Sequence, residues 1–110
     1  MPRLLRLLLL LIFLLFNFTT PAIASDMNHG AEIFNFHCAG CHINGGNIIR
    51  RGKNLKKPAL EKYGMNTLEA VTAIITNGKN NMSAYKDRLT PEEIETVAAY
   101  VLQQAETGWR

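Results

Sequence analysis

The chain reads as an all-α domain of about four short helices, and three observations predict it. Apolar residues recur at helical intervals, no segment alternates apolar and polar residues as a half-buried strand would, and capping residues, prolines and glycines punctuate the periodic stretches. Asp26 or Asn28 is placed to cap a first helix running toward Cys38, with Ile33, Phe34 and Phe36 among its apolar positions. Asn44-Gly45-Gly46-Asn47 reads as loop. Pro58 suits the first position of a short helix through Tyr63, which Gly64 stops. Asn66 and Glu69 have the spacing of a capping box, and Leu68, Val71, Ile74 and Ile75 follow before Gly78 ends the run. Thr90-Pro91-Glu92-Glu93 marks the clearest start, and that last helix should reach about Ala105 with Ile94, Val97, Ala98 and Val101 on its buried stripe. Gly30 and Phe34 stand one turn apart on the first helix, where a small residue admits another helix and an aromatic fills the crossing. Tyr100 is the natural partner.

Cys38-Ala39-Gly40-Cys41-His42 follows the first helix, and C-x-x-C-H is the attachment pattern of a c-type haem. The thiols of Cys38 and Cys41 would add across the haem vinyl groups, and His42 would supply the proximal imidazole. A redox dithiol would want flanking strands, which are missing from the pattern. A tetrahedral zinc would need four spaced ligands, and neighbours such as Cys41 and His42 can hardly share one ion. A plain disulfide would leave His42 without a reason.

The N-terminus bounds the compartment. Arg3 and Arg6 precede an apolar run from Leu7 to Phe16, and Ala22-Ile23-Ala24 supplies a small-x-small cleavage pattern, which together read as a secretory signal peptide over residues 1–24. The run is short for a membrane span of ~20 residues, and Asn17, Thr19, Thr20 and Pro21 interrupt it, so the mature chain is not expected to be membrane-embedded. Cleavage leaves residues 25–110 as a single domain, small enough that haem would supply much of its apolar mass. Losing Arg3 and Arg6 takes the 12 basic residues to 10 against 9 acidic ones, and that near balance argues against nucleic acid as partner.

Iron bound by His42 needs a second ligand or a deliberate opening. His37 adjoins Cys38 on the attachment side, and Met27 and His29 begin the first helix, so all three are badly placed. Met65 follows Gly64 and suits a residue stapling the next helix. Met82 sits in the irregular segment from Asn77 to Tyr85, where a thioether can swing to the iron; spacing favours Met82 and leaves Met65 open. A thioether favours ferrous iron and raises the potential, and a six-coordinate centre points to electron transfer, not catalysis.

Several segments resemble the cytochrome c6 family, the small photosynthetic cytochromes of cyanobacteria and algae. They are G-A-E-I-F (30–34), C-A-G-C-H (38–42), L-K-K-P-A-L-E-K-Y-G-M (55–65), T-N-G-K-N-N-M (76–82), R-L-T-P-E-E-I (88–94), V-A-A-Y-V (97–101) and G-W (108–109). The resemblance implies a class I cytochrome c fold wrapped around one covalent haem c, with thioethers at Cys38 and Cys41, His42 as proximal ligand and Met82 as distal ligand. It also implies a thylakoid-lumen or periplasmic one-electron carrier, with cytochrome f of the b6f complex as donor and photosystem I as acceptor. The plain bacterial signal suits a cyanobacterium. The chain departs from the family in reading Met82-Ser83-Ala84-Tyr85 where M-P-x-F is common, so its ligand loop has a freer backbone. That departure admits a divergent paralogue with another partner.

Arg50, Arg51, Lys53, Lys56 and Lys57 crowd one short stretch. Two readings stand: a docking patch for an acidic partner, or a solvated loop that neutralises haem propionates. Arg88 corresponds to a family arginine associated with partner contact, against which stands a salt bridge with Asp87 or Glu92. An enzyme would need an open iron site with acid–base groups, and none is apparent. A haem sensor would need an output domain. A diffusible carrier remains, its acceptor being photosystem I, a respiratory cytochrome c oxidase, or both.

Overall fold

A leucine-rich helix, α1 (Pro2–Phe16), comes first and buries none of its residues. The structure, a computed structural model, describes residues 2–16 and 22–110. Among them, no helix is long and apolar enough to cross a membrane.

Helix α2 (Ala22–His37) begins earlier than expected. Asp26 and Asn28 lie inside it and cap nothing, because the alanines before them continue the helix without a break. Ile33 and Phe34 turn into the core, whereas Phe36, two residues past Phe34 and therefore on another side, is 85% exposed. The motif itself is helical: the Cys38 carbonyl accepts bonds from the amides of Cys41 (3.2 Å) and His42 (2.9 Å), forming the single turn α3 (Ala39–His42). A 3-10 turn over Ile43–Gly45 replaces the start of the expected loop, with Asn44 at φ 53.

Helix α4 (Lys57–Lys62) takes Pro58 at its second position instead of its first, and Gly64 at φ 66 leads the chain away. For α5 (Leu68–Asn77) the cap is Thr67, whose hydroxyl accepts from the Ala70 amide at 3.1 Å; Asn66 lies one residue outside. Gly78 ends α5 at φ 70. Helix α6 (Pro91–Thr107) opens on the full capping box, with the Glu93 amide donating to the Thr90 hydroxyl (3.1 Å) and the Thr90 amide to the Glu93 carboxylate (3.0 Å). That amide bond holds the Glu93 carboxyl below its ordinary range. The helix passes Ala105 and stops where Gly108 turns left-handed at φ 72.

The core lies where α2 and α5 pack on α6, around Ile33, Phe34, Val71, Ile75, Leu89, Ile94, Val97, Ala98 and Val101. Phe34 packs 5.6 Å from Tyr100 and 5.1 Å from Trp109, ring centre to ring centre, so α2 and the C-terminal segment close on one aromatic cluster. Gly30 allows that closure. A Cβ there would lie 2.7 Å from the Tyr100 Cβ and 3.0 Å from the Thr96 carbonyl oxygen. Gly30→Ala is expected to destabilise the holoprotein, since overpacking of about 1–3 kcal/mol exceeds a propensity gain of about 1 kcal/mol. A denaturation midpoint at or above the parent's would contradict this packing.

Candidate functional site

The helices α2 to α6 and the segment after Gly78 line a solvent-open cavity of about 320 Å³. Phe34, Leu55, Leu60, Val71, Ile74 and Ile75 give it apolar walls, while Asn47, Arg50, Lys53, Asn54, Lys79 and Asn80 add polar groups. Cys38, Cys41, His42, Met82 and Tyr85 all line it. The sequence thus brings both thiols, the imidazole and the thioether to one apolar space, which is the donor set and the setting a covalent haem needs.

His42 is oriented by its own loop. Its Nδ1 lies 2.8 Å from the Gly46 carbonyl oxygen, which can only accept, so Nδ1 carries the proton and Nε2 keeps its lone pair for a metal. Gly46 is held in turn: its amide donates to the Ile43 carbonyl, while the Leu55 amide donates to the Gly45 carbonyl at 2.7 Å. Trp109 stacks against Gly45, whose φ of 77 and missing Cβ admit the indole, and its Nε1 donates to the Leu55 carbonyl at 3.1 Å. The C-terminal residues therefore brace the turn that aims His42. Burial pushes the Cys38 thiol up to about 11.

Of the other candidates, Met27 and His29 lie off the cavity, as their position predicted, and His37 joins its wall from the end of α2. Met65 lines it as well as Met82. The Met65 amide closes the end of α4 on Leu60 at 2.7 Å, while Met82 packs on the core from a loop whose Lys79 and Met82 exchange backbone bonds of 3.0 and 2.9 Å.

The basic stretch divides. Lys57 pairs with Glu106 of α6 on the exposed surface at 3.0 Å. Lys53 sits 5.4 Å over the Tyr63 ring. Asn47 shapes the segment, accepting from the amides of Ile49 (3.0 Å) and Arg50 (2.8 Å) and donating to the Lys53 carbonyl (2.9 Å). Arg50 and Lys53 reach the cavity, while Arg51 and Lys56 border exposed Ile43 and Ile48 beside it. Arg88 makes no ion pair with Asp87 or Glu92; its guanidinium lies 5.4 Å over the Tyr85 ring. Sequence reasoning missed the roles of the Gly46 carbonyl, Asn47, Trp109 and the Tyr85 hydroxyl. The traces in the sequence are the Asn44–Asn47 loop signal, Tyr85 where the family commonly has Phe, and the terminal G-W pair, and none of them names a bonding partner.

Residues 25–101 match the family model described as cytochrome C oxidase, cbb3-type, subunit III. A cytochrome c6-like protein of Nostoc sp. is 63% identical over the whole of both chains. The chain belongs to the cytochrome c6 family. A cytochrome c6 of the same Nostoc strain is 54% identical over 86% of each chain. The crystal structure of cytochrome c6C from Synechococcus sp. PCC 7002 superposes with a TM-score of 0.70 at 61% identity, covering 72% of this chain and 96% of that one. As a cytochrome c6 family member with an intact C-x-x-C-H, the protein carries covalent haem c and is an electron carrier, not an enzyme.

Proposed function

We propose that this c6-type carrier takes electrons from cytochrome f of the b6f complex and delivers them to photosystem I, with His42 and Met82 as axial ligands. The observation that carries the reading is the convergence of Cys38, Cys41, His42 and Met82 on one apolar cavity. Residues 1–24 act as the export signal, which puts the mature domain of residues 25–110 in a cyanobacterial thylakoid lumen or the periplasm. When bound, haem supplies the one-electron couple; the residues around it orient it and exclude water. Gly46 holds the His42 tautomer, and the Met82 thioether, as a ligand, would raise the potential.

Docking falls to the cations that make no ion pair among the described residues. Arg50, Arg51, Lys53 and Lys56 flank exposed Ile43, Ile48 and Ile49, an arrangement of apolar contact ringed by charge that suits an acidic partner. Arg88 adds a second positive point beyond Tyr85. Attraction between exposed charges is screened beyond ~8 Å at physiological salt, so the bimolecular rate of photosystem I reduction should fall as ionic strength rises. Arg88→Glu should slow it further without moving the potential. Flash-induced reduction kinetics with particles of the matching organism read both.

The greater identity to a c6-like protein (63%) than to a c6 (54%) of one strain favours a second reading, a divergent carrier with another acceptor. A respiratory cytochrome c oxidase is the first alternative. Photosystem I reduction at background level beside brisk oxidase turnover would move the protein there.

A further inference from the structure

The segment that carries Met82 is held mostly by itself. Gly78 folds against its far side, where a Cβ would lie 2.6 Å from the Met82 carbonyl oxygen and 2.7 Å from the Ala84 amide, and Lys79 and Met82 bond each other. These bonds lie within the segment and its junction with α5, while the Met82 side chain packs on the core and, past the loop, the Lys86 amide donates to the Thr76 carbonyl at 3.3 Å. Ser83 is exposed and adds no restraint of the kind proline would.

Tyr85 ties the loop down. Its amide donates to the Ile75 carbonyl at 2.9 Å, and its hydroxyl donates to the His37 carbonyl at 3.0 Å, across 48 residues of sequence. His37 is the last residue of α2 and the neighbour of Cys38, so the bond satisfies a carbonyl at a helix end while joining the ligand loop to the attachment site. The ring itself lines the cavity and meets His37 edge to face at 5.9 Å. Burial is the main cause of a raised hydroxyl pKa, which keeps the group a donor through the physiological range.

We propose that Tyr85 is a positioning residue whose hydroxyl latches the Met82 loop onto the attachment end of α2 and so sets how often that loop opens. This rests on Met82 being the distal ligand. Where the loop lacks proline, the hydroxyl takes over the restraint.

Imidazole tests the latch, because it reaches the iron of the ferric holoprotein only when the thioether has left. Tyr85→Phe keeps the ring and deletes the bond, and imidazole affinity should rise about fivefold to tenfold, the equivalent of one net hydrogen bond. Ser83→Pro narrows the open ensemble and should lower imidazole affinity about twofold to fivefold, in the parent and in the Tyr85→Phe background alike. If the affinity of Tyr85→Phe matches the parent's while only its denaturation midpoint falls, the hydroxyl is merely structural and the proposal is overturned. Met82→Ala separates the two ideas. A surviving sulfur-to-iron band in Met82→Ala refutes the ligand reading and the latch with it, whereas its loss beside an unaltered Tyr85→Phe leaves the ligand and removes the latch.

Discussion

Replacing Cys38 and Cys41 together by serine is expected to leave a chain that loses its haem and its cooperative fold. Helices α2, α5 and α6 make one small core, which borders a cavity of about 320 Å³ walled by Phe34, Leu55, Val71, Ile74 and Ile75. A domain of this size has a total stability of about 4–13 kcal/mol, so losing the apolar mass that covers these walls is expected to remove its cooperative transition. The parent should keep its haem through acid–acetone extraction, while the double variant should release it and show no sharp thermal transition by circular dichroism. A haem-free double variant that melts cooperatively would show that the helices pack without the cofactor.

Met82→Ala is expected to abolish the sulfur-to-iron charge-transfer band and to lower the reduction potential by on the order of 100 mV, because a soft neutral ligand that favours ferrous iron is lost. Met65→Ala should keep both and cost stability instead, on the order of 2 kcal/mol for a half-buried methionine in an apolar wall. Spectra and redox titrations of the two variants decide between them. If Met65→Ala removed the band and Met82→Ala kept it, the ligand assignment would be reversed. The contrast matters because both side chains line the cavity, Met65 from the end of α4 and Met82 from the loop after α5.

Two departures from expectation are instructive. Phe36 belongs to the same apolar run as Ile33 and Phe34, yet it is exposed, since three apolar positions within four residues span more of the helix than one neighbour covers. Lys57 looked like one more cation in a docking cluster, yet it pairs with Glu106 on the last helix. Periodicity and composition report what a residue is able to do. Which of those options is taken depends on elements far away in the chain.

What the sequence by itself determined is local or chemical in origin. C-A-G-C-H names its cofactor because covalent attachment needs those side chains within one turn, and the Thr90–Glu93 box starts α6 because both partners of each bond lie within four residues. The Gly30–Phe34–Tyr100 contact was legible because a small residue and an aromatic one turn apart leave few other uses. Only the tertiary structure decided that Gly46 would hold the His42 proton, that Trp109 would brace the turn behind it, and that Tyr85 would bond His37. For Trp109 and Tyr85 the bonds join residues about 50 positions apart, and no pattern in either segment encodes the other. The His42 bond is short in sequence, but it needs Gly45 in a left-handed turn with an indole packed against it, and that arrangement exists only once the C-terminus has folded back.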